Sequence, residues 1–426
     1  MSLEKYSKEK LEAILLETTQ RYEGYKAKGL KLDMSRGKPC SEQLDLVNGL
    51  FDVLDSKDNY LSESGMDVRN YGELSGIIEM KRIFSELLDI DSDQIFVGGN
   101  STLNLMFQTI SMAYTKGMIN SKTPWGKLEK IKFLCIVPGY DRHFAVTEYF
   151  GIELITVPML EDGPDMDIVE DLVKDDELIK GMWCVPLYSN PDGCIYSDSV
   201  IKRLATMETA AEDFTIMYDN AYIVHNLNDD DIKLINILNE CEKANNPNRV
   251  MVFSSTSKVT FPGAGVCCLA CSKENFAYFM KTAFINTIGY DKVNMLRHAL
   301  YLKNRDNILK LMSKHAAIIE PKFRMVDEIL SENLSEFDIA KWKKPQGGYF
   351  ISLDVYIGTA KRVFTLCKEA GVVLTSPGAT YPYGIDPEDK NIRIAPTYPN
   401  IEDLSNACQI LALSVIIAAI EEHIKA

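Results

Sequence analysis

Between about residue 75 and residue 272, short apolar runs alternate with stretches of helical periodicity. Seven runs, at 94–98, 132–137, 153–157, 182–185, 215–218, 250–254 and 265–271, are apolar at successive positions, so both faces of each are suited to burial. A strand buried on both faces needs helices above and below it. The alternation therefore predicts an α/β fold whose large domain holds a mostly parallel, seven-stranded sheet. Ligands of such sheets gather outside the carboxyl ends of the strands.

Outside that block the pattern changes. Residues 8–28 have the spacing of an amphipathic helix, and 31–39 read as an extended segment entering a Gly-Lys-Pro turn. Residues 292–333 predict one long helix, or two with a break near Pro321, where proline removes a backbone donor. Strands at 347–353, 372–374 and 391–394 then surround a helix at about 359–370, a small α+β arrangement. The expected organisation is an N-terminal segment (1–50) that packs with the small domain, a large domain (51–300), and a linking helix with the C-terminal small domain (301–426). The small domain is then discontinuous. The apolar run 410–420 is shorter than the ~20 residues of a membrane span and continues into Glu421-Glu422-His423, so it reads as a buried terminal helix.

At 426 residues the chain is long enough for a large core and a smaller second one, and its 46% hydrophobic and 25% charged content is that of a globular protein. The formal charge of −15 argues against nucleic acid and anionic membrane as partners. It leaves room for an anionic substrate, because local arginines set the field inside a cleft. The opening Met1-Ser2-Leu3-Glu4-Lys5-Tyr6 lacks the apolar stretch of a secretory signal. Ten cysteines without a framework suit a reducing, cytoplasmic compartment. Cys267, Cys268 and Cys271 sit in an apolar run with no second Cys or His cluster nearby, which favours core packing over a metal site.

The candidate chemistry lies where the predicted strands stop. Lys258 follows an apolar run and Ser254-Ser255-Thr256-Ser257, and precedes a Pro262-Gly263 turn. Burial without a partner lowers the pKa of such an amine. A neutral amine beside phosphate-binding hydroxyls is what a Schiff-base lysine requires. Asp219 ends another run in Tyr218-Asp219-Asn220-Ala221-Tyr222. Opposite a pyridine nitrogen its carboxylate holds that nitrogen protonated and makes the ring an electron sink; backbone amides satisfying it are the plain alternative. Tyr222, three residues on, is placed to donate toward a ring hydroxyl.

Gly98-Gly99-Asn100-Ser101 follows a strand and opens a helix, offering backbone amides and a helix N-terminus to a phosphate. An ordinary Asn or Ser N-cap gives the same pattern. Tyr140, in Pro138-Gly139-Tyr140, is placed to stack on a planar ring or to fill a surface turn. Asn190, held extended before Pro191, can donate to a phenolate oxygen, although Asn-Pro is also a turn signal. Arg393, inside the run 391–394, matches a carboxylate with its fork or makes a structural ion pair.

In order and spacing these motifs resemble the fold-type I pyridoxal 5'-phosphate aminotransferases, from about residue 35 to the C-terminus. The resemblance implies that Lys258 carries the cofactor and moves the substrate proton, while Asp219 pairs with the pyridine nitrogen. It implies that Asn190 and Tyr222 bind the ring hydroxyl and Tyr140 stacks on the ring. The phosphate is then held by Gly99, Asn100, Ser101, Ser255 and Ser257. Arg393 clamps the substrate α-carboxylate, Asn190 and Gly37 of Ser35-Arg36-Gly37-Lys38-Pro39 line the substrate, and Tyr71 reaches the phosphate of a neighbouring subunit, so a homodimer is implied. An arginine that the family usually carries a few residues after the lysine is missing. Pro262-Gly263-Ala264-Gly265-Val266 stands there, leaving Lys38, Arg36, or amides and hydroxyls alone to face the phosphate. The stretch Asp291-Lys292-Val293-Asn294-Met295-Leu296-Arg297-His298 is similar to a divergent aspartate aminotransferase subgroup related to the effector domains of MocR-type regulators.

The expected function is a cytoplasmic, homodimeric aminotransferase that moves the amino group of an L-amino acid, aspartate or glutamate, to a 2-oxo acid such as 2-oxoglutarate. The candidates for a distal substrate carboxylate are Arg297, Arg36 and Lys38, in that order. The alternatives on the same scaffold are aromatic or 2-aminoadipate-type transamination, and lyase or decarboxylase chemistry. A ligand-sensing regulator needs a DNA-binding module, for which the sequence offers neither room before residue 35 nor a basic patch.

Overall fold

A computed structural model describes residues 3–228, 230 and 232–425. Its strands are β1 (Leu32–Asp33), β2 (Ile95–Val97), β3 (Lys132–Val137), β4 (Glu153–Pro158), β5 (Ile179–Cys184), β6 (Thr215–Asp219), β7 (Val250–Ser255), β8 (Cys267–Cys271), β9 (Ala340–Trp342), β10 (Ile351–Val355), β11 (Val372–Val373) and β12 (Asn391–Ile394). Seven of them form one sheet in the order β2-β8-β7-β6-β5-β3-β4. Only β8 runs against its neighbours β2 and β7; the other pairings are parallel.

The predicted two-sided burial is realised on the inner strands, whereas the edge strand β4 is buried only at Leu154 and Val157. On β6 and β7, Ile216, Tyr218, Val250 and Val252 enter the core on one face, and Met217, Met251 and Phe253 enter the core on the other. The same alternation separates the cysteines of β8, where Cys267 and Cys271 face one core and Cys268 the opposite one. These thiols therefore point to opposite sides of the sheet, and all ten cysteines are buried and free.

A third core gathers the rest of the chain. β10 lies between β9 and β12 in an antiparallel sheet, and β1 pairs in parallel with β11, matching Leu32 to Val372. The helix Lys8–Lys26 packs on the helix Ile401–Lys425, and Tyr22 donates a hydrogen bond of 2.8 Å to the carbonyl of Leu366. The last helix is apolar and long enough to cross a membrane by length alone, yet residues 404, 407, 408 and 410–420 are buried against these neighbours.

Beyond shifts of one to three residues at strand and helix ends, two boundaries differ from those read in the sequence. The long helical stretch breaks at Lys303-Asn304 rather than at Pro321, giving helices Lys292–Leu302 and Arg305–Leu334. Lys303 adopts a positive φ of 63°, and the Asn304 side chain caps the second helix by accepting from the Asn307 amide. Pro321 stays inside that helix, where buried Ile319, Phe323 and Val326 hold the segment against the third core. The strand expected from 347 starts only at Ile351. Gly347 packs so closely that an added Cβ would lie 2.3 Å from the Tyr188 ring and 2.5 Å from the carbonyl of His225.

Candidate active site

Strand ends β3, β5, β6 and β7 open into one cleft of about 550 Å³, closed on the far side by Gly37, Phe350 and Arg393. Twelve residues singled out in the sequence line it: Arg36, Gly37, Lys38, Ser101, Tyr140, Asn190, Asp219, Tyr222, Ser255, Ser257, Lys258 and Arg393. Gly99, Asn100 and Arg297 line an adjoining hollow of about 280 Å³ with Gly263 and Gly265. Tyr71 lies outside both, 77% exposed on the surface.

Asp219, the last residue of β6, is buried beneath the cleft. Its Oδ2 lies 3.0 Å from Nε2 of His143, whose ring stacks on Trp183 with centroids 4.5 Å apart and planes within 9°. Its Oδ1 is buried with no hydrogen-bond partner. An orphaned carboxylate oxygen in a buried site carries a desolvation penalty of about 1–3 kcal/mol or more, which a protonated ring nitrogen would remove. The sequence suggested Asp219; it gave no sign of His143 beneath it.

Lys258 lies in the turn after β7, with its amine 4.8 Å from the centroid of the Tyr222 ring and 5.8 Å from that of Tyr349. Burial lowers its pKa from the ordinary lysine value, against the opposing charge of Asp219. Burial also pushes the Tyr222 hydroxyl well up and the Tyr140 hydroxyl up to about 12. Both phenols therefore stay protonated and able to donate at neutral pH.

The third wall is fit for a phosphate. Ser101 is the N-cap of the helix Thr102–Lys116 but makes no side-chain cap bond, so the hydroxyl and the first helical N–H groups remain available. Ser257 donates 3.3 Å to the carbonyl of Asn100, and the Asn100 amide donates 3.2 Å to the carbonyl of Gly263. The Asn100 side chain is thus turned into the adjoining hollow, where it ties the two loops together. Lys38 lines the cleft with its amine 3.6 Å from the ring centroid of Tyr398, and Arg36 and Arg142 also line it. Arg297 instead donates 2.6 Å to Oδ1 of Asn294, which bonds the carbonyls of Ala264 and Gly265.

At the rim, Arg393 rises from β12 over the ring of Phe350, 5.0 Å from its centroid. Its Nη1 lies 2.9 Å from Oδ1 of Asp141 and 3.5 Å from Oδ1 of Asn190, and its Nη2 lies 3.3 Å from Oγ1 of Thr375. A lysine whose pKa burial lowers, a partly unpaired buried carboxylate, a hydroxyl-lined helix N-terminus and a guanidinium thus surround one cavity. That set suits a planar, phosphate-bearing, ring-nitrogen cofactor with an amino-acid substrate beside it.

The sequence matches the family described as aspartate amino-transferase over residues 6–426. It is 47% identical over 423 residues to an aspartate aminotransferase of Corynebacterium glutamicum, covering 99% of this chain and 98% of that protein. The crystal structure of an aspartate transaminase from the same species superposes with a TM-score of 0.97 at 47% identity over 99% of each chain. A more distant likeness, in fold alone, is to the α-aminoadipate aminotransferase of Thermus thermophilus complexed with N-(5'-phosphopyridoxyl)-L-leucine, with a TM-score of 0.75 at 16% identity over 95% of each chain.

Proposed function

The chain belongs to the aspartate aminotransferase family, and from that premise we propose that its cleft moves the amino group of L-aspartate or L-glutamate to 2-oxoglutarate, with pyridoxal 5'-phosphate seated between Lys258 and Asp219. The observation that carries the reading is the unpartnered Oδ1 of Asp219 in the same cavity as the Lys258 amine, whose pKa burial lowers. When bound, the cofactor supplies an electron sink for the pair left at the substrate Cα.

The chain's own residues do the rest. Lys258, its pKa lowered by burial, takes the proton from Cα and returns it. Asp219, braced by His143, keeps the ring nitrogen charged, while Tyr222 and Asn190 hold the ring hydroxyl and Tyr140 covers the ring. Ser101, Ser255, Ser257 and the helix N-terminus bind the phosphate, with the Gly99-Asn100 turn shaping that wall. Arg393 orients the α-carboxylate. Arg36 and Arg142 favour a substrate with an acidic side chain, and Arg297, outside the cleft of its own subunit, reaches a substrate only from a partner.

We assign a homodimer because Tyr71, Phe284, Ile285 and Ile288 are all exposed, and the carbonyl of Gly72, next to Tyr71, lies against Gly289, next to Ile288. In that assembly Tyr71 completes the partner's phosphate site. The first and last helices share one core, so we group residues 1–50 and 301–426 as the small domain around 51–300. Ten free thiols suit a cytoplasmic location. The test is an amino-acid panel with 2-oxoglutarate, read as glutamate formed, together with borohydride reduction of the holoenzyme. Aspartate should lead the panel and the cofactor should be trapped on the peptide containing Lys258. Labelling of another lysine, or a preference for an uncharged donor, sinks the reading.

A further inference from the structure

The substrate-facing guanidinium is already paired. A carboxylate engages two N–H groups along one edge of an arginine. In Arg393 the Nε is buried without a partner, so the edge open to the cleft is the one through Nη1 and Nη2. Asp141 Oδ1 sits on that edge, 2.9 Å from Nη1. The two partners are unequally placed: the Arg393 side chain is 7% exposed and that of Asp141 35%. Asp141 is also the first residue of the helix Asp141–Tyr149, whose N-terminus favours negative charge whether or not the arginine is near.

We propose that Asp141 is a displaceable internal carboxylate, occupying the substrate's place on Arg393 and setting how weakly the cleft holds every α-carboxylate. This rests on the reading of Arg393 as the α-carboxylate ligand. Between turnovers the pair spares a buried guanidinium from standing without a counter-ion and keeps it oriented over Phe350. An arriving carboxylate either drives the Asp141 oxygen outward or shares the guanidinium with a like charge. Either route reduces affinity by the same factor for amino and oxo acids. Transamination releases one carboxylate and admits another at the same guanidinium, so uniformly weak binding favours turnover.

The experiment titrates the holoenzyme calorimetrically with propionate and with succinate, a mono- and a dicarboxylate that do not react. Asp141→Asn should bind both roughly tenfold more tightly and by the same factor, and should lower KM for donor and acceptor together without raising kcat. Asp141→Glu should remain near the wild type, and Arg393→Lys should weaken both probes. If Asp141→Asn does not fold, Asp141→Ser at the same helix start repeats the measurement. Unchanged or weaker binding in the neutral variants, with Arg393→Lys still weakening it, overturns the inference and leaves the site reading intact. Equal tightening in Asp141→Glu also overturns it, because charge is then not the cause. If Arg393→Lys changes neither affinity, the assignment of Arg393 itself fails.

Discussion

The floor of the cleft and its rim are held by different forces. The floor, Asp219, His143, Tyr222 and Lys258, comes from adjacent ends of one sheet and the helix beside it, and burial raises the pKa of Tyr222 and lowers that of Lys258. The rim, Gly37, Asp141, Phe350 and Arg393, comes from segments far apart in sequence that meet across two cores, and ion pairing sets its state. Groups fixed by a sheet register have little freedom to adapt. Groups meeting across two cores can shift without disturbing the chemistry below. The reaction is thus fixed on the floor, and the choice of substrate is made at the rim.

The largest break in that comparison is Lys258→Ala, which should lower transamination by at least about 10⁴-fold, since both the covalent anchor and the proton carrier are lost. Single-turnover absorbance with aspartate measures it, and residual activity within a hundredfold of wild type would remove Lys258 from the floor. Asp219→Ala should retain the cofactor yet react roughly 10²–10³-fold more slowly. His143→Ala should cost about tenfold to a hundredfold, the ~1.5–3 kcal/mol of a hydrogen bond to a charged group. Equal losses in the two variants would show that His143 does more than brace Asp219.

At the rim, Arg393→Lys should reduce kcat/KM about 10–100-fold for every amino acid alike, through loss of the fork. Arg36→Ala or Arg142→Ala should lower the aspartate-to-alanine ratio by only about fivefold, as for a partly solvated charge pair. A uniform loss across donors in those two would place them at the cofactor instead.

The smallest effect separates buried from solvated charge. Burial holds His225 down to about 3 and His298 and His315 down to about 4, all below the ordinary 6.5. Their folded pKa values are depressed, so as pH falls from 6.5 toward 4 the unfolded chain takes up protons that the native chain refuses. Stability should therefore decline across that window. Denaturant midpoints at several pH values would show it, and His315→Gln should flatten the slope.

Much of the floor was legible in the sequence because its signals are local. The run 132–137 coincides with β3, and Asp219, Ser255 and Lys258 stand where apolar runs end and their side chains have no surface to occupy. The pairings between distant segments, on the floor and at the rim alike, were less legible. His143 and Asp219 are 76 positions apart, and Asp141 and Arg393 are 252 apart, so nothing in either motif announces its partner. Arg297 was ranked first for a distal carboxylate from its helix, but its side chain turns into the adjoining hollow toward Asn294. The break at Lys303-Asn304 escaped because proline is a stronger written signal than an asparagine cap, while packing decides which one ends a helix.

Trp183 gives the floor an optical consequence. Its indole is stacked on the imidazole that braces Asp219, whereas Trp125 hydrogen-bonds Asp213 and Trp342 hydrogen-bonds Asp327, both away from the cleft. Light absorbed by Trp183 is therefore emitted next to whatever chromophore occupies the cavity. The protein carries a built-in gauge of occupancy, and the emission of this one residue should dim as the site fills and recover as it empties.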